Sequence, residues 1–536
     1  MVSTQQETGE IILKGPKFPL SQDCSLGVFI LDKLTKHEDK ISQIYSLTGE
    51  SNTHLDVKTQ SVRVAQELRA RGIGLGDVIS ICSTNTPISA LPLLAGVYLG
   101  APINPLDPTL NKSDVKHMMN ITTPKIIFTE QTCLQMIEEV ICELNLSTEI
   151  VVFGESDKHS TFSQFLSESI DENDFEPVNF TNPQDHLAFL MSSSGTTGLP
   201  KCVALSHSAI LFQLQLASFS DIPSGVTMLN MSTLFWLSGV MILLFAITVG
   251  GVRILTPPFE PEHTLETIEK YKIAWIIIGV TFYARTVSHP KACDFDLNCV
   301  QMVCISGAKA SDKHLDDGKK VFPHALFTSG YGLTETSGVV FKWDNSKPKS
   351  VGHLIPGFES KIVNVENGTS LGPNKEGEIC FRGKFIFSGY YKNEKATNEA
   401  VDKDGWLHTG DLGYYDEEEN FYVQGRIKEH FKCKGWQISP PELEAVLCEH
   451  PAIKEAAVIS VPHAVDVARP FAFIVKQQNL EVTIDEINMY MKDRVNSHKQ
   501  LTGGIVFIDN LPITPSGKIR KRDLIELAKQ YSTSNE

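Results

Sequence analysis

Short runs of aliphatic and β-branched residues alternate with helical patterns from residue 78 to residue 305. Val78-Ile79-Ser80-Ile81-Cys82 reads as a strand, and residues 87–99 that follow it read as a buried helix. Residues 125–128, 149–153, 275–278 and 302–305 repeat the strand pattern. Strands alternating with helices predict parallel sheets covered by helices. No period of 20–50 residues stands out, which argues against a solenoid. After Val351 the texture changes to short strands punctuated by glycine, at 376–383 and 421–423, and predicts a small β-rich subdomain. Beyond Gly425 and Arg426 comes a compact αβ pattern rich in Lys and Glu. Within it, Pro440-Pro441-Glu442-Leu443-Glu444 predicts a helix start, with proline in the first turn and carboxylates near the positive end of the dipole. A domain boundary is expected near residues 424–426.

One stretch has two readings. From Ser224 to Val252 there is no charged residue, and residues 234–249 are strongly apolar. Hydropathy alone makes this a membrane-span candidate. The alternative is a buried helix running into a buried strand at 252–255, because Ser238-Gly239 and Gly250-Gly251 break the run and aligned basic flanks are missing.

Composition narrows the class. A chain of 536 residues exceeds what one core supports, so a large domain plus a smaller one is expected. With 42% hydrophobic and 21% charged residues it has the make-up of an ordinary globular protein. Lys plus Arg total 48 against 64 Asp plus Glu, a net charge of −16, which argues against a nucleic-acid partner. The eleven cysteines form no CxxC pair or framework and are expected to be reduced thiols of an intracellular protein. The N-terminal residues lack the basic and apolar regions of a signal peptide.

Four segments carry candidate chemistry. Met191-Ser192-Ser193-Ser194-Gly195-Thr196-Thr197-Gly198-Leu199-Pro200-Lys201 is the strongest. A Ser/Thr/Gly run closed by lysine supplies backbone N–H groups, small hydroxyls and a mobile cation, as a polyphosphate requires. A flexible linker is disfavoured, because apolar strands are expected on both sides, at 187–191 and 202–205. The second segment is Ser329-Gly330-Tyr331-Gly332-Leu333-Thr334-Glu335-Thr336-Ser337, where Glu335 suits Mg²⁺ on a nucleotide phosphate and equally suits an ordinary loop acid. Gly405-Trp406-Leu407-His408-Thr409-Gly410-Asp411 is the third, and alone its aspartate reads as structural. The fourth, Pro512-Ile513-Thr514-Pro515-Ser516-Gly517-Lys518, ends on a lysine that alone reads as solvated.

Together, in this order and spacing, the four segments resemble the adenylate-forming superfamily. That superfamily includes acyl-CoA synthetases, 4-coumarate–CoA ligases, beetle luciferases and peptide-synthetase adenylation domains. The resemblance runs from about Asp32 to Leu527 and is nearest the insect luciferase-like and coumarate-ligase-like branch. It implies an α/β fold with a large N-terminal domain (residues 1–424) of two α/β subdomains and a small β-barrel-like subdomain. A hinge at 425–426 and a small mobile α+β C-terminal domain (427–536) would follow. It also implies an ATP-dependent acyl-CoA synthetase that makes an acyl adenylate and passes the acyl group to coenzyme A, with ATP, Mg²⁺ and coenzyme A as cofactors.

By matching motifs, Ser193, Ser194, Gly195, Thr196, Thr197, Gly198 and Lys201 would embrace the β- and γ-phosphates. Gly307-Ala308 and Tyr331-Gly332 would flank the adenine, Thr334 would contact the α-phosphate and Glu335 would hold Mg²⁺. Asp411 would bind the ribose hydroxyls with help from Arg426. Lys518 would reach the substrate carboxylate and the α-phosphate, where two anions meet and positive charge must be supplied. Rotation of the small domain would then withdraw Lys518 and present Lys432, Lys434, Gly435 and Gln437 to pantetheine.

The acid would lie along Phe235, Trp236, Leu237, Gly239 and Val240. The absence of Asp or Glu there disfavours an amino acid, whose buried ammonium would need a partner. Luciferases carry a His-His pair near this point, where Phe235 and Trp236 stand, so a medium- or long-chain fatty acid is expected. Three departures from the family pattern stand out: Gly425 where relatives usually have Asp, Cys202 after Lys201 where glycine is common, and Lys309 where an uncharged residue is frequent. The last residues lack a Ser-Lys-Leu type peroxisomal address, which makes cytosolic residence the default. The expected partner is a small-molecule carboxylic acid and not a nucleic acid, and no transmembrane span is expected in the chain, while peripheral membrane contact and oligomeric state stay open. Competing readings are a catalytically weak relative that binds acyl chains or acyl adenylates, a luciferase-like monooxygenase and, last, a membrane-embedded carrier around residues 234–250.

Overall fold

A computed structural model describes the chain except residues 1–4, 8–9, 18–23, 169–171, 194–199, 219–222, 308–309, 343–346, 348, 464, 515–517 and 533–536. Three seven-stranded sheets form most of it, and two of these are mostly parallel. The first runs in the order Lys201–Ser206, Leu187–Ser193, Ile103–Leu106, Ile79–Cys82, Ile126–Glu130, Glu149–Phe153, Ser160–Thr161. The second runs Leu326–Gly330, Met302–Ser306, Trp275–Gly279, Thr227–Asn230, Val252–Leu255, Ile41–Tyr45, Ser51–Thr53. Pairing inside both is parallel, with antiparallel strands at single edges. Their inner strands read as continuous hydrophobic runs because helices cover both faces; all four residues of Ile79–Cys82 are buried.

The uncharged stretch resolves into the buried-helix reading. Leu237–Val249 is one helix of 13 residues that ends on Gly250 in the left-handed region, followed by the strand Val252–Leu255. Thirteen residues rise roughly 20 Å, short of the ~30 Å hydrocarbon layer. Among the described residues no helix is long and apolar enough to cross a membrane. The helix is apolar all round although only part of it is packed in the core: Val240, Leu243, Leu244 and Ile247 join the largest core, while Phe245 on another face stacks on Trp275 of the second sheet at 6.1 Å. Gly250 is required where it stands, since a Cβ there would lie 2.6 Å from the His37 ring.

The glycine-punctuated strands form a third sheet, Phe358–Val363, Gly377–Gly383, Leu407–Tyr415 and Phe421–Arg426, all antiparallel. The N-terminal strands Gln5–Glu7 and Glu10–Lys14 extend its edge, a contribution that the sequence did not announce. Its path, among the described residues, stays open rather than closing into the barrel-like form expected. After Arg426 the chain builds a separate five-stranded sheet around the long hairpin Ile453–His463 and Val467–Lys476. The helix Pro440–Cys448 begins where the paired prolines predict it. This last part rests on the second sheet's layer: Arg285 and Glu455 form a two-pronged ion pair at 2.7 and 3.2 Å, and Ile513 packs into that layer's core.

Candidate functional site

A cleft of about 3340 Å³ opens where the three larger sheets and the C-terminal part meet. Described residues of all four candidate segments line it, and Asp411 does so from within the strand Leu407–Tyr415. Ser193 and Lys201 face each other across the antiparallel pair Leu187–Ser193 and Lys201–Ser206. The residues between them that carry Ser194, Gly195, Thr196, Thr197 and Gly198 lie outside the described residues, as do Ala308 and Lys309. Pro200 O is 2.9 Å from Nε2 of His117, which ties the loop's end to the helix Lys112–Thr122. Ser192 Oγ is buried beside the cleft without a hydrogen-bond partner among the described residues. Cys202 is buried in a strand, and that burial pushes its thiol up to about 12.

Asp411 is the most elaborately held of the charged groups. Tyr331 Oη donates to its Oδ2 at 2.7 Å, and Arg426 Nε lies 2.7 Å from its Oδ1. Strand pairing sets this up, because Asp411 and Arg426 are register partners. Burial raises the Asp411 pKa, while Arg426 and the Tyr331 hydroxyl pull it down. Burial, and then the Asp411 charge, push the Tyr331 phenol well up. Behind the aspartate, Glu378 accepts the Gly410 N–H at 2.9 Å through Oε1 and bonds His408 Nδ1 at 2.7 Å through Oε2. Thr409 Oγ1 donates to Ile379 O and accepts the Asp411 N–H. Register shifts in both neighbouring pairings mark a bulge here, a device that re-aims a side chain beside a site. Although Glu378, Cys380 and His408 bring their ligand-type atoms within 4.8 Å, these groups are committed to one another and to Gly410.

Thr334 and Glu335 open a single 3-10 turn, Thr334–Thr336, which the Thr336 hydroxyl closes by accepting the Leu333 N–H and lying within donating reach of Leu333 O and Gly338 O. Glu335 Oε1 accepts the Tyr390 hydroxyl at 2.9 Å, and Lys201 Nζ stands 4.3 Å from the centre of the same ring. Lys518 enters from the C-terminal part, held by a bridge between Ile513 and Ile519 and by a hydrogen bond from its N–H to Thr514 Oγ1. Gly307, at φ +89°, leaves room for it, since a Cβ there would lie 3.4 Å from the lysine Cε. The lysine side chain is exposed to the water of the cleft, although protein crowds around it. That crowding, and then the Arg426 charge, lower its pKa, against the pull of Asp411 and Glu335. Three cations (Lys201, Arg426, Lys518) and two acids (Glu335, Asp411) thus share one cleft with Thr334, Gly307, Tyr331 and Gly332. With the orphaned Ser192 hydroxyl, this donor set fits a polyphosphate and a divalent cation.

The cleft continues into an apolar pocket. Trp275 and Ile277 pair with Met302 and Cys304 on adjacent strands, and all four face the pocket. Their neighbours Ile276, Ile278, Val303 and Ile305 turn to the dry core on the other face, as the period of two requires. Opposite them, Leu237–Val249 presents Leu237, Ser238, Met241, Ile242 and Phe245, with Phe235 and Trp236 just before it. Gly239 and Val240 do not line the pocket, contrary to expectation, because the helical rotation turns them inward. Val240 is fully buried in the main core, and a Cβ on Gly239 would meet Thr233 O at 2.2 Å. Lys432, Lys434, Gly435 and Gln437 are exposed on a hairpin away from the cleft, with φ +52° at Lys434 and +83° at Gly435 forming its tight turn.

Comparison with known proteins fits this geometry. The family model described as AMP-binding enzyme matches residues 31–391, and AMP-binding enzyme C-terminal domain matches residues 442–518. Luciferin 4-monooxygenase of Photinus pyralis is 31% identical over 97% of this chain and 98% of its own length. A 4-coumarate–CoA ligase of Arabidopsis thaliana is 32% identical over 89% of this chain and 86% of its own. Among solved structures, the luciferase-like enzyme of the nonluminescent Zophobas morio mealworm superposes with a TM-score of 0.72. It is 36% identical and covers 78% of this chain and all of its own.

Proposed function

Since the chain belongs to the adenylate-forming AMP-binding enzyme family, we propose that it is an acid–thiol ligase that joins a medium- or long-chain fatty acid to coenzyme A through an acyl adenylate. One observation supports the choice of acid: the faces that Leu237–Val249 and the strands Trp275–Gly279 and Met302–Ser306 turn to the cleft carry no charged side chain, and the same cleft is lined by Lys518, Glu335 and Asp411. An aliphatic chain loses no hydrogen bond there, whereas an amino acid's ammonium would be left unpaired.

In this reading Asp411 accepts the ribose hydroxyls, held still by Tyr331 and Arg426. Ser193 and Lys201 meet the β- and γ-phosphates, together with Ser194, Gly195, Thr196, Thr197 and Gly198. Gly307, Ala308 and Gly332 border the adenine, and Thr334 faces the α-phosphate. Glu335 holds Mg²⁺, which supplies charge neutralisation on the phosphates when bound. Lys518 lies between the substrate carboxylate and the α-phosphate, so the two anions approach across an ammonium rather than across water. Lys432, Lys434, Gly435 and Gln437 would serve coenzyme A only after the part beyond Arg426 has turned.

Pyrophosphate release from ATP and Mg²⁺, across a panel of fatty, aromatic and amino acids, tests the proposal. Release that depends on a fatty acid and on Lys518, with a thioester formed once coenzyme A is added, is the expected result. Silence with fatty acids overturns the substrate assignment, and silence with every acid overturns the activity. The luciferin 4-monooxygenase relatives support a second reading, a luciferin-using monooxygenase; light from added luciferin and ATP would favour it.

A further inference from the structure

Lys201 and Glu335 have opposite charges and line one cleft, yet neither is ion-paired among the described residues. Tyr390 stands between them. Its ring presents a face to the Lys201 ammonium at 4.3 Å, and its hydroxyl donates to Glu335 Oε1 at 2.9 Å. The ring itself is pinned. The Tyr390 N–H donates to Thr397 Oγ1, and the Phe387 ring abuts it edge-on at 5.0 Å. The flanking backbone is stitched to the strand that starts at Lys201 by Tyr391 N to Cys202 O and Ala204 N to Gly389 O. The loop of Glu335 is stitched to the same segment by Phe387 N to Glu335 O at 2.8 Å. Burial, and then the Glu335 charge, push the Tyr390 phenol far up, so it stays a donor throughout the working range.

Without a spacer, a lysine and a carboxylate facing one cleft close into a salt bridge, and each loses its hold on a ligand. A ring face attracts the ammonium without occupying any of its three N–H donors. The hydroxyl fixes one carboxylate oxygen, Oε1, and leaves Oε2 without a hydrogen bond among the described residues. We propose that Tyr390 is a positioning residue that keeps Lys201 and Glu335 apart and aims one at phosphate and the other at the divalent cation. The proposal deepens the nucleotide reading above and rests on it.

Calorimetric binding of ATP, with no acid substrate present and with or without Mg²⁺, reads this directly. Tyr390→Phe keeps the ring and removes the hydroxyl. It is expected to leave metal-free ATP affinity near the wild-type value and to raise the Mg²⁺ concentration for half-saturation roughly tenfold, as loss of one hydrogen bond to a charged group does. Tyr390→Leu removes both contacts and is expected to weaken metal-free ATP binding as well, because Lys201 then reaches Glu335. Equal losses with and without Mg²⁺ in the Phe variant would indicate a merely structural ring and overturn the proposal. An unchanged Mg²⁺ requirement in both variants would overturn it too. In either case wild-type protein that binds ATP with Mg²⁺ leaves the nucleotide reading standing, whereas wild-type protein that binds none overturns both.

Discussion

At the scale of single residues, the site places charge where folding alone would not choose it. Asp411 has its folded pKa raised above the unfolded value, chiefly by burial. A carboxyl shifted this way favours the folded state fully below its unfolded pKa, and that contribution is lost as pH rises through the folded pKa. At neutral pH the charged aspartate therefore costs the empty protein stability. Asp411→Asn should remove that cost: the amide oxygen still accepts from Tyr331, and Arg426, with a side chain 39% exposed, regains water. The expected result is a melting temperature equal to or above wild type, with ATP affinity down roughly 10- to 100-fold through lost charged hydrogen bonds. Melting curves and ATP titrations on the two proteins check it, and a large fall in melting temperature would refute it. Asp411, Glu335 and Lys518 were legible as candidates only through the joint order and spacing of their segments, since alone the aspartate read as structural and the lysine as solvated. Tyr331 was read only as a neighbour of adenine, and Tyr390 was not singled out. The partner of each hydroxyl lies 80 and 55 positions away, and only the fold brings them together.

At the scale of elements, alternation was legible and orientation was not. Trp275–Gly279 and Met302–Ser306 read as buried strands because both faces are apolar. One face meets the dry core and the other the pocket, and no residue type separates those two surroundings. The helix Leu237–Val249 hides its pocket face for the same reason, which is why Gly239 and Val240 were expected at the pocket and Met241 and Phe245 were not. Asp411 shows what such elements do for chemistry, since its own bulged strand is braced by Glu378 of the neighbouring strand through His408 and Gly410. Hydrogen bonding to Glu378 is the main cause raising the His408 pKa above its usual 6.5. That raised folded pKa gives stability fully present below about 6.5, lost as pH rises through the folded value. Melting temperatures should therefore fall for this brace between mildly acidic and alkaline pH. The difference between wild type and His408→Gln should be greatest at pH 6 and shrink above it. A difference that is constant from pH 6 to 9 would refute the charged pairing.

At the scale of the molecule, motif order in the sequence foretold a large part and a smaller one, but not what joins them in this arrangement. Two features do. Arg285 grips Glu455 with two hydrogen bonds at the contact, both side chains being largely buried, and 170 positions separate them in the chain. Gly425 pairs with Leu412 at φ +133°, where a Cβ would stand 3.2 Å from His430 and 3.3 Å from Pro441. This backbone angle is open to glycine and costs other residues about 1–3 kcal/mol. Aspartate at position 425 should therefore disfavour this arrangement, with Lys518 in the cleft, by roughly 5- to 150-fold. Glu455→Gln acts in the same direction by leaving the Arg285 charge unmatched at a largely buried contact. Neither change touches a group assigned to ATP or the acid. Both should slow acyl adenylate formation, for which the proposed mechanism requires Lys518 in the cleft, more than thioester formation from a supplied acyl adenylate. Single-turnover rates of the two half-reactions give the ratio, expected to drop at least about fivefold in Gly425→Asp. If both variants keep the wild-type ratio, neither the clasp nor the glycine sets the balance between arrangements.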